Sequence, residues 1–313
     1  MPETLARRAD PVGSPARSEA PTIERPSGAL VVATSRWAVL LTPPLSGVHN
    51  MAIDHALMRR AARTGEGVLR IYSWQVPTLS FGRHEIAAGV YSREAIQAAG
   101  LAVVRRPTGG RAVLHDDEIT YGVTAPLVPD GDPGLAPGGA RRARARALYT
   151  AINHVLLDGL RRLGVAGALV SRGAIRPAAV AGPCFDTASD GEVVVGGRKL
   201  VGSAQWREDG AVLQHGSMLI ADHRARLAAL APTLAPPVAS PIAPAAPAAT
   251  LRELLGRAPS PAEVATALTG ALDDALAAAG APRTRVLSID PDTEAMAVAL
   301  RGRYEDDGWT WRR

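Results

Sequence analysis

Lysine and cysteine are almost missing from this chain. Of its 35 basic residues 34 are arginine, and only Lys199 is lysine; Cys184, fifteen positions upstream, is the only cysteine. One cysteine excludes an internal disulfide and a multi-cysteine metal site, and it fits a reducing cytoplasm. No apolar run reaches the roughly 20 residues that a membrane span requires. Aromatic residues make up 4% of the chain, and none interrupts the basic run Arg141 to Arg146. That run lacks the stacking side chains of a single-strand nucleic-acid groove and reads as a solvated helix start, so no nucleic-acid partner is expected.

The rarity of lysine has two readings. Coding bias can replace lysine by arginine wholesale and leave one behind. Alternatively the position needs what arginine lacks, an amine able to give up its proton, and a cation near a cysteine favours the thiolate. The neighbourhood of the two residues has to separate these.

With 313 residues, 47% of them hydrophobic, the chain can bury a substantial core. Residues 1–33 begin with a Pro, Ser, Glu and Arg-rich stretch without an apolar signal core, and are read as a disordered leader. Residues 34–229 read as the main folded body and 230–249 as a Pro/Ala-rich linker, leaving 250–313 as a small C-terminal helical segment. Apolar spacing over Asn50 to Arg63 and Ala143 to Leu163 predicts helices, and Ser260-Pro-Ala-Glu263 is a capping box that starts another. Val68 to Phe81 reads as strand, turn and strand. Glu192 to Ile220 reads as a three-stranded meander turning at Gly196-Gly197 and Asp209-Gly210, which sets Val195 opposite Arg198 and Val194 opposite Lys199. Hairpins rather than repeated βαβ units predict an α+β fold, a central, mostly antiparallel mixed sheet flanked by helices.

Three segments carry candidate chemistry. In Arg105-Arg-Pro-Thr-Gly-Gly-Arg-Ala-Val-Leu-His115, Gly109 and Gly110 let backbone N–H groups approach a ligand, and Arg105, Arg106 or Arg111 can hold a carboxyl or phosphate oxygen; the pattern alone also fits a plain hairpin with exposed arginines. Gly182-Pro-Cys-Phe-Asp-Thr-Ala-Ser189 leads into the hairpin that bears Lys199. Gly202, Ser203 and Ala204, then Leu213-Gln-His-Gly-Ser217 with His215, offer room beside a strand and a second titratable ring; close sheet packing explains the small residues equally well.

Taken in order with Asn50-Met-Ala-Ile-Asp54, Leu69-Arg-Ile-Tyr-Ser-Trp74 and Thr78-Leu-Ser-Phe-Gly82, these segments resemble the lipoate branch of the biotin/lipoate protein ligase and transferase superfamily, over roughly residues 50 to 220. Cys184-Phe-Asp-Thr-Ala-Ser189 is similar to the acyl-accepting loop of its LipM-type octanoyltransferases. The resemblance implies the biotinyl/lipoyl-transferase-like catalytic fold and an octanoyltransferase of lipoate biosynthesis that works through a Cys184 thioester assisted by Lys199. Arg70, Gly82, Arg106, Gly109, Gly110, His115, Gly202, Ser203, Ala204 and His215 would surround the substrate. It implies no cofactor and no metal. The expected partners are octanoyl-acyl carrier protein and the lipoyl domains of 2-oxoacid dehydrogenase E2 subunits or glycine cleavage H protein, with no membrane attachment and a monomeric enzyme. Three alternatives stay open: an ATP-dependent lipoate ligase that leaves Cys184 idle, an amidotransferase moving octanoyl between lipoyl domains, and a non-catalytic carrier-binding module.

Overall fold

The computed structural model describes residues 28–127, 139–171, 191–208, 210–230 and 247–312; the Cys184 loop and most of the Pro/Ala-rich stretch lie outside them. In chain order the elements are α1 (Gly28–Ala33), β1 (Trp37–Leu41), α2 (Gly47–Thr64), β2 (Gly67–Tyr72), β3 (Thr78–Phe81), α3 (Arg93–Ala98), β4 (Ala102–Arg105), β5 (Val113–His115), β6 (Glu118–Pro126) and α4 (Gly139–Arg162). There follow β7 (Ala168–Val170), β8 (Val193–Val195), β9 (Arg198–Glu208), β10 (Ala211–Leu219), α5 (Arg224–Ala229), α6 (Leu251–Leu255), α7 (Pro261–Ala278), β11 (Arg285–Val286), α8 (Pro291–Glu305) and α9 (Asp307–Thr310).

Eight strands form one sheet in the order β11-β1-β2-β6-β10-β9-β8-β7, and β4-β3-β5 form a second. The large sheet is mixed, with β1 parallel to both β2 and β11 and antiparallel ladders from β2 through to β7. The meander has the expected register, Val194 opposite Lys199 and Val195 opposite Arg198. Its turn glycines have φ of 56° and 75°, as a tight hairpin of this twist requires.

Helix α2 is capped by the Ser46 side chain, which accepts from the His49 N–H, and it ends at Gly65 in the left-handed region. It is the crossover between parallel β1 and β2, a βαβ unit that the hairpin-dominated sequence reading lacked. Helices α4 and α7 cover the large sheet on its main core, and Gly159 lets them approach: a Cβ there would collide with Leu268.

The other departures lie at the two ends of the chain. Residues 28–33 are not leader but α1, whose Leu30 is buried in the main core. Residues 250–312 do not stand apart from the body. Leu268, Leu272 and Leu276 of α7 join the main core, α8 packs Ala297, Leu300 and Tyr304 on Met51 and Ala56 of α2, and β11 extends the sheet beside β1. Among the described residues no helix is long and apolar enough to cross a membrane.

Candidate functional site

The glycine loop between β4 and β5 is built by arginines that face inward. Arg106 is buried and donates to the carbonyls of Ser80 (3.0 Å), Gly109 (3.2 and 3.0 Å) and Arg111 (2.6 Å) and to Ser80 Oγ (2.9 Å). These bonds draw the loop's carbonyl oxygens toward its own base. Gly110 has φ of 92°, and Gly82 backs the loop so closely that a Cβ there would collide with the Gly110 carbonyl. Arg105 has no exposed surface. It donates to the carbonyls of Gly82 (2.6 Å), Glu85 (2.7 Å), Thr310 (3.0 Å) and Arg312 (3.3 Å), tying the loop to the far C-terminal residues.

Two carboxylate–histidine pairs flank this loop. In the first, Asp54 of α2 accepts from Arg70 Nη1 (2.7 Å) and the Tyr72 hydroxyl (2.8 Å), and its Oδ2 lies 3.2 Å from His215 Nδ1. His215 Nε2 lies 2.6 Å from Thr108 Oγ1, beside Gly109. Burial alone would raise the Asp54 carboxyl, but the Arg70 guanidinium and then His215 hold it below its ordinary value. Burial pushes the His215 imidazole down in spite of the Asp54 carboxylate, so the pair is carboxylate and neutral ring. A carboxylate only accepts, so Nδ1 carries the ring proton and Nε2 accepts from the Thr108 hydroxyl.

In the second pair, Glu118 Oε1 accepts from His115 Nδ1 (2.8 Å), Thr120 Oγ1 (2.6 Å), Ser217 Oγ (2.9 Å) and Trp74 Nε1 (3.2 Å). His115 Nε2 lies 2.7 Å from Ser80 Oγ, and its ring stacks on Trp74 at 3.8 Å. Trp74, His115 and Glu118 line a cavity of about 310 Å³ whose wall also includes Pro77, Ile119 and Ile220. Burial would raise the Glu118 carboxyl; His115, then Thr120 and Ser217, hold it low.

Lys199 is buried on β9, and its Nζ pairs with Glu192 at 2.8 Å. Glu192 Oε1 also accepts from the Ser203 N–H at 3.4 Å, and Ser203 Oγ lies 2.7 Å from the Tyr121 hydroxyl. Gly202 faces Ser217 and Ala204 faces His215 across β10. A Cβ at Gly216 would collide with the Gly202 carbonyl.

The structure thus gathers Gly82, Arg106, Gly109, Gly110, His115 and His215 around one loop, and sets Gly202, Ser203 and Ala204 on the strand beside it. Lys199 stands farther along that strand with a partner of its own. Arg70 departs from the expectation that it touches substrate. Its five N–H groups go to Asp54, to the Asn50 carbonyl and side chain, and to Thr42, so it orients Asp54 from inside the core. Cys184 lies outside the described residues. Sequence reading assigned no role to Asp54, Thr108, Glu118 or Glu192. Asp54 had a usable signal, a carboxyl four residues after Asn50 on the apolar face of a helix. Among the described residues no group of three or more His, Cys, Asp or Glu is placed to hold a metal ion.

Comparison with known proteins bears on this arrangement. Residues 46–273 match the model of the lipoyl protein ligase A/B catalytic domain. A protein of Kyrpidia tusciae named octanoyltransferase LipM is 38% identical over 285 residues, covering 88% of this chain and 99% of the relative. One of the same name from an Exiguobacterium species is 35% identical over 286 residues, covering 88% and 98%. Among solved structures, lipoate-protein ligase A bound with ATP superposes with a TM-score of 0.67 at 20% identity, covering 88% of this chain and 98% of that one. A bipartite lipoate protein ligase of Thermoplasma acidophilum, studied with its E2 lipoyl domain, gives 0.67 at 22% identity, with 88% and 96% covered. At these identities the structures speak for the fold alone.

Proposed function

The chain belongs to the lipoyl protein ligase A/B catalytic-domain family and is an acyltransferase, and we propose that it carries octanoyl from octanoyl-acyl carrier protein to a lipoyl-domain lysine. The observation that carries this reading is the end-to-end likeness to relatives named octanoyltransferase LipM. The lone cysteine, in a chain whose lone lysine is buried and ion-paired fifteen positions later, supports a covalent route.

In that route the Cys184 thiolate attacks the thioester carbonyl of the donor. The carbon–sulfur bond to the carrier breaks, and the carrier leaves as a thiolate that takes up a proton. Lys199, fixed by Glu192, is the cation that favours the thiolate and the developing oxyanion. The neutral amine of the acceptor lysine then attacks the acyl-enzyme. A carbon–nitrogen bond forms, the bond to Cys184 breaks, and the proton lost by nitrogen returns to sulfur. Thioester exchange is nearly isoenergetic and thioester to amide is downhill, so the route consumes no nucleotide. The acceptors of this chemistry are lipoyl domains of 2-oxoacid dehydrogenase E2 subunits or glycine cleavage H protein. The loop at Gly109 and Gly110, with Arg106 behind it and His115 and His215 on either side, would contact the acyl donor along its length.

Intact-protein mass spectrometry after mixing with octanoyl-acyl carrier protein, without ATP, tests the proposal. One octanoyl adduct is expected, removed by hydroxylamine and abolished by Cys184→Ser. No adduct, with acyl transfer appearing only when free acid and ATP are supplied, would make the protein a ligase and leave Cys184 without a catalytic part.

A further inference from the structure

A second concentration of arginines lies beside the glycine loop and outside the machinery above. Arg83 follows Gly82, and its backbone N–H donates to the Thr108 carbonyl at 2.7 Å. Its guanidinium sits 5.2 Å over the Trp206 ring, while Arg303 and Arg312 sit 4.1 and 4.3 Å over Trp309. His55 meets Trp206 edge-on at 4.9 Å and hydrogen-bonds Tyr304 at 3.1 Å, and Tyr304 abuts Trp309. The four rings form one continuous backing for the three guanidinium groups, with the exposed Arg59 next to them on α2.

Among the described residues none of Arg59, Arg83, Arg303 and Arg312 makes an ion pair, although arginines elsewhere pair with Asp54, Glu66, Glu253 and Asp307. Arg83 Nη1 and Arg303 Nε are buried and have no acceptor among the described residues. Leaving a charged donor buried and unbonded is costly, and aromatic faces do not remove that cost. The mutual repulsion is visible in their neighbours. Burial, followed by Arg59, Arg303 and Arg83, pushes His55 down to about 3, and burial, Arg83 and Arg303 lower Arg312. Two carboxylates act on Tyr304, but Asp54 is already held by Arg70 and Glu208 pairs with none of the four arginines.

We infer that this aromatic-backed arginine cluster is an anion site for the phosphodiester of the acyl donor's phosphopantetheine arm. The inference rests on the thioester-transfer reading. Donors converging from a turn, a helix and the C-terminal segment suit a compact oxyanion, which accepts several N–H bonds at once, better than a broad acidic face. The separation is also of the right scale. Trp206 stands seven residues along β9 from Lys199, about 23 Å at a strand's rise per residue. An acyl group alone could not engage both places, whereas a thioester at the end of a long phosphorylated arm could.

The test compares octanoyl-pantetheine with octanoyl-4′-phosphopantetheine as donors, reading the rate of acyl-enzyme formation. The wild type is expected to prefer the phosphorylated arm by about tenfold or more in kcat/KM, mainly through KM. Arg303→Gln and Arg83→Gln should each shrink that ratio, and the pair together should bring it near one. The ratio is taken within each variant, so a general loss of folded protein cancels, and the wild-type comparison stands if a variant does not fold. Equal use of both donors by the wild type, or a preference that survives the double substitution, overturns the site while leaving the thioester reading intact. An acyl-enzyme from octanoyl-acyl carrier protein but from neither carrier-free arm overturns the site as well, and an acyl-enzyme from none of the three would instead sink the thioester reading.

Discussion

Two buried carboxylate–histidine pairs stand two residues apart along β10, at His215 and at Ser217, and they are neutralised differently. Asp54 has the Arg70 guanidinium on one side, through a single N–H at 2.7 Å, and a neutral imidazole on the other. Among the described residues no arginine pairs with Glu118. Four donors crowd onto Oε1, while Oε2 is buried with no donor among the described residues. The first pair is a charge balanced inside the core, able to hold His215 and Thr108 in one orientation. The second is held mostly by neutral groups along one wall of a cavity, and its unfilled oxygen leaves it less tightly determined.

The sharpest way to break this contrast is Arg70→Met, which strands Asp54 as a buried charge. It should cost about 3–5 kcal/mol in denaturant unfolding, and adding Asp54→Asn should recover much of the loss. A loss below about 1 kcal/mol would mean that Tyr72 and His215 suffice without the guanidinium.

Acid provides the next test. The folded His215 has its affinity for protons depressed below the ordinary 6.5. As pH falls below about 6.5 the unfolded chain protonates this ring and the folded chain does not, so stability falls with pH. One proton contributes at most about 1.4 kcal/mol per pH unit. His55 adds a slope of the same sign that runs down to about pH 3. His215→Gln should flatten the stability profile between pH 6.5 and 5, and an unchanged slope would show that the ring is protonated in the fold.

The smallest effect is expected at Glu118→Gln, about 1 kcal/mol by thermal or denaturant unfolding. The amide oxygen can keep the Oε1 donors, and the NH₂ can take the place of the oxygen that lacks one. A loss approaching that of Arg70→Met would show that the negative charge itself holds His115.

What the sequence revealed and what it hid follow a physical divide. Features set by local geometry were legible: the Gly196-Gly197 register that places Lys199, the Ser260 capping box, the helix over Asn50 to Arg63, and the glycine loop. Features set by tertiary context were not. Arg70 reads as a ligand-facing arginine because spacing cannot tell a buried guanidinium from an exposed one. Helix α1 is six residues without a cap signal and gains its stability only when Leu30 enters the core. The two-residue strand β11 exists because β1 offers it an edge. Glu192 reads as a hairpin flank until Lys199 folds back onto it.

The reach of Arg105 sets an order of events during synthesis. Its guanidinium is buried against carbonyls of residues 82 and 85, and of residue 310, which lies 205 positions later in the chain. A growing polypeptide that has exposed the glycine loop but still holds residues 310–312 inside the ribosome has nothing to close over that side of the arginine. The glycine loop therefore reaches its final shape only after residue 310 has emerged, well after the loop's own residues have left the ribosome.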